Sequence, residues 1–281
     1  MAEPRFVAAC VQMRSGRDPL ANRDAAVAGV REAARAGAHY VQTPEMTSLV
    51  ERSRTALFEK VGPPEDDPTL AALRAVAREA GVMVQVGSLA VRSGDKIANR
   101  AFLIDGQGEI LAAYDKLHLY DVDLPNGERW RESATYTGGA SAVVAETPWA
   151  TIGLGICYDI RFPALYRALA EAGATVLTAP ACFTKQTGEA HWHVLHRARA
   201  IETGSFMISA AQGGRHEDGR DTYGHSIIVD PWGVVLADAG GPEPGVILAE
   251  IDLARVAEAR ARIPALAHAR PFTVERVGRQ G

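Results

Sequence analysis

"LIDGQGEILAAYD" (103–115) returns in altered letters as "IVDPWGVVLADAG" (228–240). Both run apolar, Asp, two turn residues, Gly, apolar stretch, Ala. Each predicts a hairpin, with turns at Asp105–Gly108 and Asp230–Gly233. An Asp side chain accepts from backbone N–H groups just downstream, and Gly supplies the left-handed turn position. The copies fall in opposite halves of a 281-residue chain. Two unrelated hairpins would share these letters. Two related halves would share them too, and would predict one mixed sheet in each half, packed as a sandwich with helices outside.

Outward from the hairpins, strands alternate with helices. "RFVAACVQM" (5–13), "HYVQTPE" (39–45), "VMVQVGSLAV" (82–91), "ATVLTAPACF" (174–183) and "SFMISAAQ" (205–212) are short, apolar and β-branched. Between them, "RDAAVAGVREAARAGA" (23–38) predicts a helix with Val27, Val30 and Ala34 on one side and Gly37 ending it. "DPTLAALRAVAREAG" (67–81) repeats the design, with Asp67 as cap, Pro68 in the first turn and Gly81 after the end. "PALYRALAEAG" (163–173) and "EAHWHVLHRARAIETG" (189–204) predict two more helices. The pattern is that of an α/β protein. No Ser/Gly/Pro-rich linker divides it, so one domain over 1–263 is expected, followed by a Pro- and Arg-containing tail over 264–281.

Hydrophobic residues make up 47% and charged residues 23%, the balance of a soluble globular chain. A net charge of −4 gives no reason to expect nucleic acid or a membrane surface as partner. The start, "MAEPRFVAACVQM", lacks the basic-then-apolar order of a secretory signal, and no apolar run approaches the roughly 20 residues of a membrane helix. Cys10, Cys157 and Cys182 are few and odd in number, which argues for a reducing, cytoplasmic compartment over a disulfide framework.

Three strand-like segments end at a reactive residue. "HYVQTPE" ends at Glu45, "ILAAYDK" at Lys116 and "ATIGLGIC" at Cys157. Sites in α/β sheets collect at the carboxyl ends of strands. A carboxylate, an ammonium and a thiol suit acyl transfer: the sulfur attacks, the carboxylate takes its proton, and the ammonium steadies the oxyanion. A free thiol is about four units less acidic than a Glu, a gap of roughly 5–6 kcal/mol. Burial that raises the Glu, and a Lys charge that favours thiolate, are expected to narrow it. Taken singly, each residue has an ordinary reading: a core thiol, a loop charge, a solvated strand end. Glu132 in "RWRESATY" is a fourth candidate, with a loop salt bridge as its plain alternative.

Together, "TPE" with Glu45, "YDKLHLYDVDLP" with Lys116, "RESATYTGG" with Glu132 and "GLGICYDIRFP" with Cys157 resemble the nitrilase superfamily of carbon–nitrogen hydrolases. The likeness runs on through "TGEAHWHVLHRARAIET", "AAQGGRH" and "YGHSIIVDPWGVVLA", where it resembles the Nit branch, whose members act as deaminated glutathione amidases or ω-amidases. The resemblance implies a four-layer αββα sandwich. It also implies a homodimer or larger assembly whose interface the tail crosses, and a small-molecule amide as substrate. It assigns Glu45 as general base, Lys116 as oxyanion stabiliser, Cys157 as nucleophile and Glu132 as supporting carboxylate, with the Tyr158 N–H in the oxyanion hole. Arg161, Phe183 and Thr187 match positions around a substrate's keto-acid end. A guanidinium suits that role, with a buried structural ion pair as the alternative reading of Arg161. No metal or organic cofactor is implied. The expected activity is cysteine-dependent hydrolysis of the ω-amide of an α-keto acid such as deaminated glutathione. The alternatives are an ω-amidase acting on α-ketoglutaramate or α-ketosuccinamate, and a broader aliphatic amidase.

Other segments are less decisive. "HWHVLH" holds His191, His193 and His196, but their helical spacing sends the first two apart and no HExxH pattern is present, so no metal is expected. His193 stands where the branch usually has an acidic residue. Cys10 and Cys182 are expected to pack. "DVDLPNGERW" (121–130) and "GGRHEDGRDTYG" (213–224) are polar loops that would serve as lids or as plain surface. "MTSLVERSRTALFEK" (46–60) fits neither Nit subtype.

Overall fold

A computed structural model describes residues 5–125 and 127–278. The first half runs β1 (Arg5–Gln12), α1 (Pro19–Arg35), β2 (Tyr40–Gln42), α2 (Arg54–Lys60), α3 (Pro68–Ala80), β3 (Met83–Ser93), β4 (Lys96–Ile104) and β5 (Ile110–Asp115). Short strands β6 (Asp121–Asp123), β7 (Arg129–Arg131) and β8 (Tyr136–Thr137) follow. The second half runs β9 (Val143–Glu146), β10 (Thr151–Leu154), α4 (Pro163–Glu171), β11 (Val176–Thr178), α5 (Lys185–Thr203) and β12 (Phe206–Ser209). It ends with β13 (Gly213–Arg215), β14 (Asp221–Tyr223), β15 (Ile227–Val229), β16 (Val235–Asp238), β17 (Gly245–Asp252) and α6 (Ala254–Arg262).

Both expected hairpins form, β4–β5 and β15–β16, closed by Gly108 N–H to Asp105 O and Gly233 N–H to Asp230 O, each 2.9 Å. They end matching sheets. One has the order β17-β1-β2-β3-β4-β5, with β8 added on β4; the other has β16-β15-β12-β11-β10-β9. In the first, β1, β2 and β3 are parallel and β4 and β5 antiparallel, with β17 antiparallel on the far edge. In the second, β10, β11 and β12 are parallel, β15 and β16 antiparallel, and β9 antiparallel on the far edge. Strand for strand, the halves correspond.

Alternation along β1 shows how the layers stack. Phe6, Ala8 and Cys10 enter a core shared with Ile152, Val176, Phe206 and Ile208 of the facing sheet. Ala9 and Val11 enter a second core with Val30 of α1 and Leu73 of α3. On the far side, Tyr166 of α4 and Trp192 of α5 cover the second sheet. The order helix, sheet, sheet, helix is the four-layer αββα sandwich expected from the resemblance. Among the described residues, no helix is long and apolar enough to cross a membrane.

Local chemistry sets the element ends. Asp67 caps α3 by accepting from Thr69 and Leu70 N–H at 2.8 and 2.9 Å, and Gly81 closes it at φ +65°. Two helices begin earlier than their periodicity predicts. α1 starts at Pro19 because Asp18 caps it, so its buried stripe is Asn22, Ala26, Gly29, Val30 and Ala33, with Val27 and Ala34 on its margin. α5 starts at Lys185, which puts Thr187 in its first turn. The strands at 39–45 and 174–183 are shorter than predicted: β2 stops at Gln42 and β11 at Thr178, and the loops beyond them carry Glu45, Cys182 and Phe183.

Candidate active site

Each candidate side chain sits just past a strand that the sandwich core holds in place. Glu45 lies three residues beyond β2, Lys116 directly after β5, and Cys157 three residues beyond β10. The Glu45 segment is pinned from several sides. Met46, at φ +56°, donates its N–H to Ser88 Oγ at 2.9 Å, and Gln212 Nε2 donates to the Glu45 and Met46 carbonyls at 3.1 and 3.2 Å. Cys157 takes φ +47°, a left-handed conformation that costs a non-glycine residue of order 1–3 kcal/mol and is kept where the surroundings over-determine it. Here Asp159, fully buried, accepts from Ile156 N–H (2.9 Å), Tyr114 Oη (2.7 Å), His118 N–H (3.1 Å) and His118 Nδ1 (2.7 Å). That one carboxylate ties the Cys157 turn to the end of β5, next to Lys116.

The candidates converge. Lys116 Nζ donates to Glu45 Oε1 at 2.8 Å and to Glu132 Oε2 and Oε1 at 2.9 and 3.1 Å. Glu45 Oε1 also accepts from Asn99 Nδ2 at 2.8 Å, and Oε2 accepts from the Cys182 N–H at 2.7 Å. The Cys157 thiol lies beside the same Glu45 carboxyl, close enough that each shifts the other's hold on its proton. Glu132 Oε2 accepts from the Tyr120 N–H at 2.6 Å. Lys116 and Glu45 are buried, and the side chain of Glu132 is only 11% exposed. Asn99 and the Cys182 N–H carry no sequence signal of their own.

Protonation follows from this packing. Burial pushes Glu45 up, but Lys116, the Cys157 thiol and the Cys182 N–H together outweigh it, and the carboxyl lies below its ordinary value. Burial alone would strip the proton from Lys116, yet Glu132 and Glu45 hold it charged, well above its usual range. Burial first and Glu45 second keep the Cys157 thiol protonated, against the pull of Lys116. The expectation that burial would raise Glu45 and that Lys116 would free the thiolate is therefore corrected. In the resting site the carboxylate–thiol gap is wider than for free groups, because burial and Glu45 raise the thiol while Lys116 holds the carboxyl down.

A cavity of about 250 Å³ opens above these groups, lined by Glu45, Lys116, Glu132, Cys157, Tyr158, Phe183 and Thr187 among others. The Tyr158 N–H has no protein acceptor among the described residues. Phe183 packs edge-on against Trp192 at 5.2 Å, and Thr187 Oγ1 bonds Thr184 Oγ1 at 2.7 Å. Arg161 is set back from the lining. Its guanidinium lies 5.1 Å from the Phe183 ring and 5.9 Å from the Tyr158 ring, and contacts His191 Nδ1 at 3.2 Å. The polar loops each carry a β-hairpin that lines the cavity: β6–β7 brings Trp130, with Asn126 outside the described residues, and β13–β14 brings Arg220. The unassigned segment 46–60 lines the cavity as well, through Leu49, Arg52 and α2.

The remaining thiols and imidazoles lie apart from this centre or beside it. Cys10 is core, its thiol pushed far up by burial. Cys182 lines the cavity, its thiol pushed up to about 11 by burial. His196 is buried against Trp192 O and Ser209 Oγ and pushed down to about 3 by burial. His193 turns the other way, to Asp238 (2.7 Å), which also meets His225 (2.9 Å). These three donor atoms lie within 4.8 Å of one another, a grouping with the donors to hold a metal ion, closed here as an imidazole–carboxylate–imidazole bridge.

Residues 7–261 match the model of the carbon–nitrogen hydrolase family. The human deaminated glutathione amidase is 40% identical over 95% of this chain and 82% of its own length. The deaminated glutathione amidase of Synechocystis is 39% identical over 94% of this chain and 97% of its own. The solved NitFhit protein of C. elegans superposes with a TM-score of 0.89 at 34% identity; the match covers 96% of this chain and 66% of the NitFhit chain.

Proposed function

The chain belongs to the carbon–nitrogen hydrolase family and is an amide hydrolase; from that premise we propose that it is a cysteine amidase for the ω-amide of an α-keto acid of the deaminated glutathione type. One observation carries the reading: a single buried carboxylate, Glu45, meets both the Cys157 thiol and the Lys116 ammonium. Glu45 takes the thiol proton as Sγ bonds to the amide carbonyl carbon. The resulting oxyanion lies against Lys116 and the Tyr158 N–H. When the C–N bond breaks, Glu45 returns its proton to the departing amine and a thioester remains. Glu45 next takes a proton from water, whose oxygen bonds to the acyl carbon. The C–S bond breaks, the carboxylic acid leaves, and the sulfur regains its proton from Glu45.

Because the resting thiol is protonated, its proton passes to Glu45 before or as the S–C bond forms, with the Lys116 ammonium beside the developing charge. Glu132 acts through Lys116, fixing its ammonium on the oxyanion side, and is a positioning residue. Phe183 and Thr187 shape the acyl side, with Arg161 behind them lending positive charge to the α-keto acid end. The working protein is a cytoplasmic homodimer whose tail from Pro264 lies on the partner, and its substrate is a small molecule.

Steady-state assays with deaminated glutathione and α-ketoglutaramate test the substrate. The first is expected to give the higher kcat/KM; a clear preference for α-ketoglutaramate would identify an ω-amidase instead. Wild-type enzyme quenched during turnover is expected to carry the acyl mass on the Cys157 peptide, and Cys157→Ala to carry none and to be inactive. Undiminished hydrolysis by Cys157→Ala would end the mechanism.

A further inference from the structure

The floor of the cavity is electrostatically settled, and its walls are not. Glu45, Glu132 and Lys116 satisfy one another, and Glu51 at the rim is held by Arg17 and Lys60. Five arginines also line the space: Arg52, Arg54, Arg129, Arg131 and Arg220. Arg129 and Arg131 share Asp123. Arg52 and Arg54 have no carboxylate within ion-pair distance among the described residues; Arg52 instead stacks on Trp130 at 4.5 Å.

Arg220 stands out because its side chain is only 16% exposed and poorly partnered. Its Nη1 meets Cys182 Sγ at 3.4 Å, and its Nη2 reaches Asp218 Oδ2 at 3.6 Å, beyond hydrogen-bond range. Neither that oxygen nor Arg220 Nε has a hydrogen-bond partner. The guanidinium stacks on Trp130 at 4.7 Å, so one indole carries two cations. Its position is fixed by the β13–β14 turn, where Arg220 N–H donates to Asp218 Oδ1 at 2.9 Å and Arg220 O accepts from His216 N–H at 2.8 Å. A guanidinium offers five N–H donors in a planar fork suited to a carboxylate; here Nε is buried, and Nη1 and Nη2 hold only a sulfur and a loose 3.6 Å ion pair.

The wall matters. Arg220 touches Cys182, whose N–H binds Glu45 Oε2, so the guanidinium lies one residue from the carboxyl that hands its proton to the departing amine. Arg161 lies behind Phe183 and Tyr158 instead. We propose that Arg220, with Arg52 on the same indole, forms a subsite for a carboxylate carried by the amine half of the amide. The enzyme would then favour a leaving peptide with a free C-terminal carboxylate over the same peptide with that carboxylate masked as an amide. This rests on the reading of Glu45 and Cys157 given above and adds what it leaves open, the recognition of the leaving group.

Three amides with the same 2-oxoglutaryl ω-acyl half test it: one releasing ammonia, one releasing cysteinylglycine and one releasing cysteinylglycinamide. The readout is the ratio of kcat/KM for the free-acid peptide to that for its carboxamide, which is insensitive to the fraction of enzyme folded. In the wild type this ratio is expected to be about 10- to 100-fold, the worth of a charged hydrogen-bonded contact. It should approach one in Arg220→Gln, with partial retention in Arg220→Lys and a smaller decrease in Arg52→Gln. A wild-type ratio near one would overturn the subsite, as would an Arg220→Gln variant that slows both peptides equally and keeps the ratio. In either case hydrolysis of the ammonia-releasing amide would leave the amidase reading standing. An enzyme inert towards all three would overturn both.

Discussion

Lys116 stands between two carboxylates, and that count governs which protons can move. The proposed first step needs Glu45 ionised and both Cys157 and Lys116 protonated. Glu45 lies below its ordinary value of 4.5, whereas Cys157 and Lys116 lie above 9.0 and 10.5. As pH falls, activity is lost only when Glu45 protonates; as pH rises, only when the thiol or ammonium deprotonates. The profile of kcat/KM, which reports free-enzyme groups, should therefore be flat from about pH 5 to about pH 9. An acid limb centred between 6 and 7 would point to a histidine base and against Glu45. Removing one carboxylate should show what the count is worth. Glu132→Gln leaves Lys116 its bond to Glu45 but takes away a buried charged partner. A loss of about 1–3 kcal/mol in stability is expected, together with a fall in kcat that exceeds any rise in KM. A change in KM alone would make Glu132 a substrate contact instead. Residues of this kind were legible because a Glu, a Lys and a Cys each followed an apolar run. Arg220 and Asn99 were not, because an Arg in a polar loop and an Asn in a strand show their environment only once distant segments meet.

At the scale of the element, the sandwich works by ending strands at the right depth and fastening the loops that follow. Gly87 in β3 illustrates the tolerance. A Cβ there would come within 2.0 Å of the Thr43 carbonyl and 2.5 Å of the Pro44 carbonyl carbon, just ahead of Glu45. Gly87→Ala must push that loop away, so activity should fall by an order of magnitude or more even where the protein still folds, since a displacement of about 1 Å can cost about 10²-fold. Normal kcat in a folded Gly87→Ala enzyme would show that the loop has slack. Asp159 is the matching fastener on the Cys157 side. Asp159→Ala strands the Tyr114 hydroxyl and two backbone N–H groups. The expected cost is about 3–4 kcal/mol, seen as a Tm lower by roughly 5–7 °C. An unchanged Tm would mean that water or a shifted loop replaces it. Caps and turns at this scale were legible, since Asp67, Gly81, Gly108 and Gly233 act through neighbours in sequence. Strand lengths were not. β3 is buried on both faces over most of its length, which erases period-two alternation, and what stops β2 at Gln42 is a turn anchored to β3.

Across the whole molecule, the two hairpins that echo in sequence prove to be equivalent corners of two sheets with the same strand order. Such a sandwich buries its parallel strands between layers, and so leaves its helices to meet the solvent or another copy. The helices here are not uniformly polar. Val194 and Ile201, one heptad apart on α5, are 66% and 52% exposed. Beyond Ile263 the described tail carries no helix or strand, and Phe272, Val274 and Val277 are 86%, 81% and 95% exposed. Isolated apolar side chains on a surface are ordinary, but a helix face and a bare chain end with the same character point to burial against a partner. The proposed homodimer can be tested at this scale. The full chain should sediment as a dimer at micromolar concentration, and a chain ending at Ile263 should keep its fold, since no tail residue enters the core clusters, yet dissociate at concentrations where the full chain does not. Val194→Glu and Ile201→Glu should weaken the dimer without moving the amide-hydrolysis rate per folded subunit by more than about twofold, because neither side chain lines the cavity. A full-length chain that sediments as a monomer throughout the micromolar range would remove the dimer and leave those exposed residues without a role.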